Sequence, residues 1–358
     1  MRSVSGKIME GINHKNIAYI IRHFLPQSND FEVLPITQGL INDSYKISFS
    51  DRAYFLQRLN TQIFRNSEDL MFNIDQWQQV LTGSGLPAPT FLKTTQGAYF
   101  AKDEQGHLWR MQTYIPNAIA YDIAPDKKIS KEAGRLLGHF HHISKNLNTN
   151  TFKTPIPQFQ DIHLRWQQFQ QACHQADASS LQAAQKTLEI LHALKDVAFK
   201  TPKELPMRLC HNDTKLNNML FQEKHHKGIC LVDLDTLMPG FAFYDFGDAL
   251  RTVANTATES DSNTPVLFKT ALAASFISGL CEWPEAFTKK EWLSLPFGAV
   301  YMPFLHGLRA LTDFLAGNLY YKVSYPNENL DRAQSLLSFA QKANEKQDFL
   351  IQSIAASL

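Results

Sequence analysis

Two short segments of the sequence carry side chains suited to phosphoryl transfer. The segment HNDTKLNN at 211–218 fits the pattern H-x-D-x-x-x-x-N, and LVDLD follows it at 231–235. In a phosphoryl-transfer site a carboxylate accepts or orients the proton of the attacking hydroxyl, while an Asn amide oxygen and a second carboxylate hold magnesium at the phosphates. The sequence therefore predicts Asp213 as the general base, and Asn218 and Asp233 as metal ligands.

A predicted β-hairpin links these two segments. The apolar runs NMLF and GICLVDLD flank the polar turn QEKHHK, a pattern typical of two antiparallel strands. Such a hairpin returns Asp233 to the neighbourhood of Asn218. Either segment alone also fits ordinary turn chemistry, since Asn and Asp favour loops and helix caps. Their order, with an apolar strand between them, favours the site.

Asp235 follows Asp233 by two residues at the end of the second strand. Alternate residues of an extended chain face the same side. Asp235 is therefore predicted to contact a second metal or the substrate. Capping of the following turn is the alternative.

The tripeptide Asp245-Phe246-Gly247 competes for the metal-binding role because it spells the D-F-G motif of protein kinases. It lies beyond the Pro239-Gly240 turn, further from Asn218 than a hairpin reaches. We therefore keep Asp233 as the predicted metal ligand. Asp245 is instead predicted to bond the backbone of the catalytic loop.

The N-terminal region has the pattern of an antiparallel sheet. An amphipathic helix is predicted near 11–25, and residues 30–115 contain β-like runs joined by tight turns, with one helix inserted after Ser67. Together they predict a five-stranded sheet. The runs are EVLPIT, SYKISF, AYFLQRL, TFLKT, AYFA and LWRMQTYI.

Beyond Pro116 the pattern becomes mostly helical, with the hairpin described above as a β-like island. The predicted fold class is therefore α+β, with a sheet region at 1–115 and an α-rich region at 116–358. The predicted helices of the second region are 127–146, 161–175, 178–199, 264–281, 289–316 and 328–355.

A glycine turn and a glutamine of the sheet region are candidates for phosphate contacts. Gly39 and Asn42 belong to GLINDS, between the first two strands, where a phosphate-covering loop would lie; a plain hairpin is the alternative. Kinases usually place a lysine on the third strand. Gln57 falls at that position and Arg58 points to the opposite face. Either the register differs by one residue or an amide meets the phosphates.

Three neighbouring histidines, His139, His141 and His142, invite a metal interpretation. On a helix the first and third share a face, but no Glu or Asp completes a zinc set. We predict that these histidines lie at a helix surface or an interface.

Composition narrows the class of protein. The 358 residues include 35 basic and 34 acidic ones, and no long run of either sign, so neither a nucleic acid nor a membrane surface is an expected partner. The four cysteines lack zinc-ligand spacing and are typical of reduced thiols in a cytoplasm. No signal-peptide pattern is visible, and no segment reaches the roughly 18 to 20 apolar residues of a spanning helix. A cytoplasmic protein, monomeric or homodimeric, is predicted.

With these residues placed, the chain resembles the aminoglycoside phosphotransferase and choline kinase superfamily, and within it most closely the bacterial N-acetylhexosamine 1-kinases. The resemblance runs over nearly the whole length, and its central block is highly specific. The matching segments are HNDTKLNN, DLDTLMPG with YDFGD, GLINDSY, FLQRLN, WRMQTYI, and LPFG with GLRALTDFLAG.

This resemblance implies a bilobal protein-kinase-like fold and transfer of the ATP γ-phosphate to the anomeric hydroxyl of N-acetylglucosamine or N-acetylgalactosamine. ATP and Mg²⁺ are the implied cofactors, and residues 1–115 and 116–358 the implied nucleotide-binding and catalytic lobes. Asp213, Asn218 and Asp233 match the base and the metal ligands of the family.

Further residues acquire expected roles from the same resemblance. Arg309 and Tyr320 match positions that contact the sugar. Gln57 matches as well, which favours the amide interpretation. Gln112 and Tyr114, in WRMQTYI, are expected to contact the nucleotide where the chain crosses between lobes, with backbone groups recognising adenine. The family often carries a Glu four residues before the arginine, whereas this chain has Leu305.

Other acceptors remain open at this point. The same chemistry would serve an amino alcohol, a hexose without the acetamido group or an antibiotic, and a catalytically inactive relative would bind only a nucleotide or a partner. The sequence does not distinguish ATP from GTP, or one epimer of the sugar from the other. A neutral sugar is favoured over a polycationic drug because the C-terminal helices are not markedly acidic.

Overall fold

The computed structural model describes residues 14–358, apart from 29, 37–41, 83, 85, 260, 262 and 263. Its backbone divides into two compact units. The first comprises Met1–Arg65 and Pro89–Pro116, and the second comprises Asn66–Ala88 and Asn117–Leu358. Within the described ranges no helix is both long and apolar enough to cross a membrane.

The first unit is built on a five-stranded sheet in the order β1-β2-β3-β5-β4, in which every neighbouring pair is antiparallel. This confirms the predicted sheet. The run TFLKT contributes only a single bridge, from Phe91 to Gln112, instead of a strand. The helix and strands are α1 (His14–Phe24), β1 (Glu32–Ile36), β2 (Asp43–Ser48), β3 (Ala53–Arg58), β4 (Ala101–Lys102) and β5 (Leu108–Thr113).

Helix α1 packs on one face of this sheet. Its apolar residues recur at helical spacing and are nearly inaccessible to solvent, as are the strand residues that they meet. The residues that form this core are Ile17, Ile20, Ile21 and Phe24 of α1 with Ile47, Leu56, Trp109 and Met111 of the sheet.

Helix α2 (Ser67–Leu81) interrupts the first unit in sequence but belongs to the second unit by its contacts. The buried Asn73 amide donates to the carbonyls of Lys153 (2.9 Å) and Leu237 (2.8 Å). Trp77 packs against Phe140 with ring centroids 4.8 Å apart. The helix inserted among the predicted strands therefore supports the α-rich part of the chain.

The second unit is mainly helical and contains two small sheets, β6-β8-β9 and β7-β10. Its further helices are α3 (Lys127–Ser144), α4 (Ile162–Gln175), α5 (Ala178–Ala183), α6 (Gln185–Ala198), α7 (Ala242–Val253), α8 (Thr270–Leu280), α9 (Lys289–Leu315), α10 (Glu328–Asn344) and α11 (Gln347–Ser357). Its strands are β6 (Ala118–Ile119), β7 (Arg208–Cys210), β8 (Met219–Gln222), β9 (Gly228–Leu231) and β10 (Met238–Gly240).

Most of the predicted helices are present, with four differences. The predicted 264–281 helix begins only at Thr270 and ends at Leu280. Ala184 interrupts the predicted 178–199 helix, and Glu345 with Lys346 interrupts 328–355. Helix α7 was not predicted, because its polar sequence YDFGDALR resembles a turn. In the structure both of its aspartates, Asp245 and Asp248, are buried and have cationic or amide partners.

Helix α9 is the central element of the second unit. It starts with a capping box in which Thr288 and Glu291 satisfy each other's backbone amides. The helix continues through Pro296 and Pro303 and is buried along most of its length, where it packs against α4, α7 and α10. It therefore fixes the positions of the elements that carry the candidate site.

Helices α7 and α9 approach each other through two glycines. A Cβ added to Gly247 would lie 1.9 Å from the Gly298 carbonyl oxygen, and one added to Gly298 would lie 2.0 Å from the Phe243 carbonyl oxygen. The main chains of α7 and α9 are therefore in direct contact, and no flexible side chain can move to make room for a methyl group.

We predict that Gly298→Ala lowers the free energy of unfolding by about 2 to 4 kcal/mol, because the added methyl group must separate two backbones in a packed core. Denaturant unfolding followed by circular dichroism measures the change. Gly317→Ala is the control: nothing lies within 4 Å of its added carbon, so only its left-handed backbone (φ 88°) is strained, at about 1 to 2 kcal/mol. Equal losses for both variants would contradict the prediction.

Candidate functional site

The catalytic loop leaves β7 through a left-handed residue. Asn212 has φ 62°, a conformation that Asn tolerates better than most residues. Its side-chain amide donates to the carbonyls of Cys210 (3.2 Å), Thr236 (3.0 Å) and Met238 (3.1 Å). The residue directly before Asp213 is thus tied to the strand that follows the hairpin.

Asp245, at the start of α7, holds the same loop by its backbone. Its carboxylate accepts from the amides of His211 (2.9 Å) and Asn212 (2.7 Å), and its carbonyl accepts from the Thr214 hydroxyl (2.6 Å). The side chain is completely buried. The prediction that Asp245 bonds the catalytic-loop backbone is confirmed.

His141 of α3 lies behind Asp245, with its Nε2 3.1 Å from the Asp245 Oδ2. Both side chains are fully buried, so the predicted surface or interface position of this histidine is wrong. The error arises because α3 packs against β7 and α8 on the face that carries His141. Burial, followed by the positive charge of Arg208, lowers the pKa of His141 to about 4.

Asp213 sits among donors that come from its own loop. The Asn218 amide donates to its carbonyl and to its Oδ2, both at 2.8 Å, and the Lys215 Nζ lies 3.0 Å from the same Oδ2. The Asp213 side chain remains 22 % exposed, so it is accessible to a small molecule. The structure therefore joins the predicted base to one predicted metal ligand.

Lys215 is a site residue that the sequence reasoning missed. Burial acts to lower its pKa, but the carboxylates of Asp213, Asp233 and Glu259 outweigh this effect and raise the pKa. The available signal was a cation two residues after the predicted base within HNDTKLNN. One ammonium group thus responds to the two predicted site carboxylates together.

The predicted hairpin is present as β8 and β9. It pairs Met219 with Leu231, and the Val232 amide donates to the Asn218 carbonyl at 2.9 Å. Asp233 follows as an exposed residue with φ 62°. A non-glycine residue in this backbone region stores strain of the kind found at functional sites.

Asn218 and Asp233 form a donor set that fits magnesium. Both offer hard oxygen ligands, and Mg²⁺ in kinases takes one or two protein carboxylates together with substrate phosphates and water. No group of three or more His, Cys, Asp and Glu side chains that would form an all-protein metal site occurs in the described ranges.

Asp235 does not follow the alternation expected of an extended chain. Residues Leu234–Thr236 form a 3₁₀ turn, so Asp235 is buried whereas Asp233 is exposed. The Thr236 hydroxyl of the same turn donates to the His211 carbonyl at 2.7 Å. The turn thus supports the catalytic loop, and the role of Asp235 at a metal or substrate stays a prediction.

Arg309 and Tyr320 come together at the C-terminal part of α9. The Arg309 guanidinium carbon lies 5.9 Å from the Tyr320 ring centroid. Asp313, one turn beyond Arg309, accepts from the amides of Tyr320 (2.8 Å) and Tyr321 (2.9 Å), which follow the end of α9 at Leu315 and the left-handed Gly317 (φ 88°). Burial acts to lower the pKa of Arg309, but Tyr321, Tyr320 and Asp213 raise it. Tyr320 thus lies against Arg309, which the charge of Asp213 reaches, and the contact of both residues with a sugar stays a prediction.

A buried ionic network borders Lys215. The Asp248 Oδ1 accepts from the Arg251 Nε (2.8 Å) and lies 2.7 Å from the Arg251 Nη2. Arg251 also bonds Glu259. Burial acts to raise the pKa of Glu259, but the charge of Arg251 and its neighbours lowers it to about 2. Apart from Asp248, which adjoins the D-F-G tripeptide, sequence reasoning identified none of these residues, because their partners are distant in sequence.

In the first unit Gln57 and Arg58 lie on opposite faces of β3, with Gln57 buried on the face away from Leu56 and α1, and its alignment with the usual kinase lysine stays a prediction. The Gln57 carbonyl oxygen accepts from the Arg110 Nε (3.1 Å) and Nη2 (2.8 Å), and its amide donates to the Ser44 hydroxyl (3.2 Å). Arg58 pairs with Asp43. A buried arginine that sequence reasoning missed therefore orients the amide predicted to meet the phosphates.

The remaining predicted nucleotide contacts are placed as follows. Gly39 lies outside the described residues. The Asn42 side-chain oxygen Oδ1 accepts from the Asn60 backbone amide at 2.9 Å. Gln112 pairs with Phe55 in β5. The Tyr114 amide donates to the Ala53 carbonyl (3.1 Å), so this amide is already satisfied within the sheet. These residues belong to the first unit, and their contact with a nucleotide stays a prediction.

A sequence profile of the phosphotransferase enzyme family matches residues 32–275. The match spans more than half of the chain, so the chain belongs to this family.

Solved structures share the fold over almost the entire chain. A microcompartment-associated aminopropanol kinase matches with a TM-score of 0.63 at 15 % identity, covering 96 % of this chain and 99 % of that one. A choline kinase from Cryptosporidium parvum Iowa II matches with 0.57 at 16 % identity, covering 92 % and 94 %. An amicoumacin kinase in complex with AMP-PNP and Ca²⁺ matches with 0.56 at 15 % identity, covering 93 % and 92 %. Identities this low show fold alone, and the predicted kinase-like α+β fold is confirmed.

We predict that acid lowers the free energy of unfolding through the protonation of His141. Since the folded state lowers its pKa from the ordinary 6.5 to about 4, the unfolded chain binds the proton first. The free energy of unfolding should therefore fall as pH drops from 6.5 to 4, by roughly 3 kcal/mol. Urea unfolding of the wild type and His141→Gln across this range measures the slope, with His174→Gln, an exposed histidine, as control. A slope unchanged in His141→Gln would contradict this assignment.

Proposed function

We propose that this member of the phosphotransferase enzyme family transfers the γ-phosphate of ATP to the anomeric hydroxyl of an N-acetylhexosamine, either N-acetylglucosamine or N-acetylgalactosamine. The observation that carries the proposal is the grouping of Arg309 and Tyr320, a guanidinium against an aromatic ring, in a part of the second unit where the charge of Asp213 reaches Arg309. Such a grouping suits a sugar that carries an amide carbonyl. The family supports the reaction class, and the sequence resemblance supports the acceptor.

In this proposal Asp213 accepts the proton of the acceptor hydroxyl. Asn218 and Lys215 both contact its Oδ2, which leaves the Oδ1 for the acceptor. The hydroxyl oxygen then bonds to the γ-phosphorus as the bond to the ADP oxygen breaks. Asp245 keeps the base in position by holding the two preceding amides.

Asn218 and Asp233 are the residues that would hold magnesium, by an amide oxygen and a carboxylate. When bound, the ion would neutralise charge on the β- and γ-phosphates. Asp235, buried in the following turn, would either reach the same region or stabilise that turn. Lys215 supplies a further positive charge beside the transferred group.

Residues of the first unit are proposed to bind the nucleotide. Gln57 would present its amide N–H₂ to the phosphates, because Arg110 binds its carbonyl oxygen and so sets the orientation of the amide. Gly39 and Asn42 would cover the phosphates. Gln112 and Tyr114 would lie at the adenine.

The proposed acceptor site favours a neutral or negatively charged molecule over a positively charged amine. Aminopropanol and choline, the substrates named for two of the similar structures, carry a positive charge. Arg309 would repel such a group. In an N-acetylhexosamine one N–H group of Arg309 would donate to the acetamido oxygen, which leaves its other N–H groups available, and the sugar ring would lie against Tyr320.

The test is a panel of acceptors incubated with ATP and Mg²⁺, followed by phosphorus NMR of the products. The panel contains N-acetylglucosamine, N-acetylgalactosamine, glucose, choline and an aminoglycoside. We expect phosphate at the anomeric oxygen of the two acetamido sugars. Phosphate on any other hydroxyl, or turnover of choline alone, would overturn the proposal.

Asp213→Asn is expected to lower kcat by roughly two to four orders of magnitude, the effect of removing a general base. The affinity for ATP should change little, because the substituted group serves the acceptor. Steady-state kinetics and calorimetric titration with nucleotide measure the two effects. Asp196→Asn, an exposed carboxylate on α6, is the control; a fully active Asp213→Asn enzyme would contradict the assignment.

Asp233→Asn is expected to abolish the dependence of nucleotide affinity on Mg²⁺. Calorimetry with ATP in the presence and absence of the ion measures this dependence in the wild type and the variant. The left-handed backbone at this position also suits Asn, so the variant should fold normally. Undiminished dependence on Mg²⁺ would place the ion elsewhere.

A further inference from the structure

Two guanidinium groups converge on one residue beside the catalytic loop. The Arg165 Nη2 donates to the Phe159 carbonyl at 3.1 Å, and the Arg309 guanidinium carbon lies 5.2 Å from the centroid of the Phe159 ring. Tyr320 and Tyr321 complete the group, since both influence the pKa values of the two arginines.

Arg165 and Arg309 are half-buried, and they lack the carboxylate partners of two buried arginines of the second unit. Arg208 pairs with Glu291 at 2.9 Å, and Arg251 pairs with Asp248 at 2.7 Å. Within the described ranges neither Arg165 nor Arg309 forms such an ion pair. A partly desolvated cation gains from an anionic partner because desolvation penalises an isolated charge.

The contacts of Arg165 show what surrounds its guanidinium in place of a carboxylate. Its Nη1 donates to the Gln168 side chain at 3.0 Å, while its Nε is buried and has no hydrogen-bond partner among the described residues. Burial, followed by the charge of Arg309, lowers the pKa of Arg165 to about 10. The hydrogen bonds of Arg165 thus go to neutral acceptors, and no carboxylate forms an ion pair with it among the described residues.

The pair is fixed to the catalytic loop. The Gln160 side chain, next to Phe159, donates to the Asn212 carbonyl at 3.2 Å, and the Tyr301 hydroxyl donates to the Gln160 carbonyl at 2.6 Å. Asn212 directly precedes Asp213. An anion held by the two arginines would therefore lie beside the base that receives the acceptor.

We propose that Arg165 and Arg309 form a subsite for a carboxylate carried by the acceptor itself, so that acidic N-acetylhexosamines are phosphorylated in preference to neutral ones. This inference rests on the proposed function. Guanidinium groups bind carboxylates by paired charge-assisted hydrogen bonds, which are about twice as strong as neutral ones. A carboxylate on a carbon other than the anomeric one would leave the reacting hydroxyl free for Asp213.

The experiment compares acceptors that differ only in charge. Values of kcat/KM are measured for N-acetylglucosamine, for two acidic derivatives with a carboxylate at C6 or on an ether at C3, and for the matching carboxamides. We expect at least one carboxylate to exceed its carboxamide by about 10-fold or more, the effect of one charge-assisted hydrogen bond. Equal values for both pairs would overturn the inference.

Variants assign the preference to the arginine. Arg165→Gln should abolish the ratio of carboxylate to carboxamide through KM, whereas Arg165→Lys should retain part of it. Gln168→Ala removes a partner of Arg165 but keeps the charge, so it should preserve the ratio. Equal losses on both acceptors in Arg165→Gln would overturn the inference, because they would assign Arg165 to the transferred phosphate or to the fold.

The two proposals fail in different ways. Anomeric phosphate on neutral N-acetylglucosamine without a carboxylate preference sinks the subsite alone. No anomeric phosphate on any acetamido sugar overturns the proposed function and the subsite with it. If Arg165→Gln does not fold, the wild-type ratio of kcat/KM between carboxylate and carboxamide is measured at rising salt concentration. A preference based on charge must decline as the ions screen it, and a ratio that stays constant would overturn the inference.

Discussion

The geometry of the candidate site depends on one buried carboxylate. Asp245 accepts the amides of His211 and Asn212, two donors that a sharp loop in the interior could not otherwise satisfy. Leaving such groups unpaired costs about 1 to 3 kcal/mol each. The loop therefore keeps one conformation only while α7 presents this side chain. His141 and Arg208 continue the same arrangement behind it, so α3 and α9 also support the loop through polar contacts.

Charged residues are distributed unevenly around the loop that Asp245 holds. Arg251 pairs with two carboxylates, the buried Asp248 and the partly exposed Glu259, in a network next to Lys215. Lys215 contacts Asp213, and the charge of Asp233 also acts on it. Arg165 and Arg309 differ from these residues, because within the described chain neither forms an ion pair with a carboxylate. Paired charges stabilise the fold, whereas the proposed carboxylate subsite lies at two arginines without such a pair.

The sequence was most informative where chemistry and local pattern coincide. Asp213, Asn218 and the hairpin to Asp233 follow from residue types at short spacing, and the α+β division follows from periodicity. Sequence reasoning did not find helix α7, the burial of His141, or the pairing of Gln57 with Arg110. Each depends on a partner far along the chain, as Arg110 is from Gln57. Asp235 was assigned a facing side from an extended chain, whereas a 3₁₀ turn reversed it. Tertiary contacts of this kind leave no periodic signal.

The glycine contact between α7 and α9 has an implication for how acceptor range can diversify in this family. Asp245 lies on α7 and Arg309 lies on α9. Because the main chains of these helices touch, neither helix can shift along the other without losing the contact at Gly298. New specificity must then arise from the side chains exposed at the end of α9 and from the segment after Gly317. The residues proposed for phosphoryl transfer lie outside those positions. Substitutions there would change the acceptor that one fold binds, while its reacting groups would stay aligned.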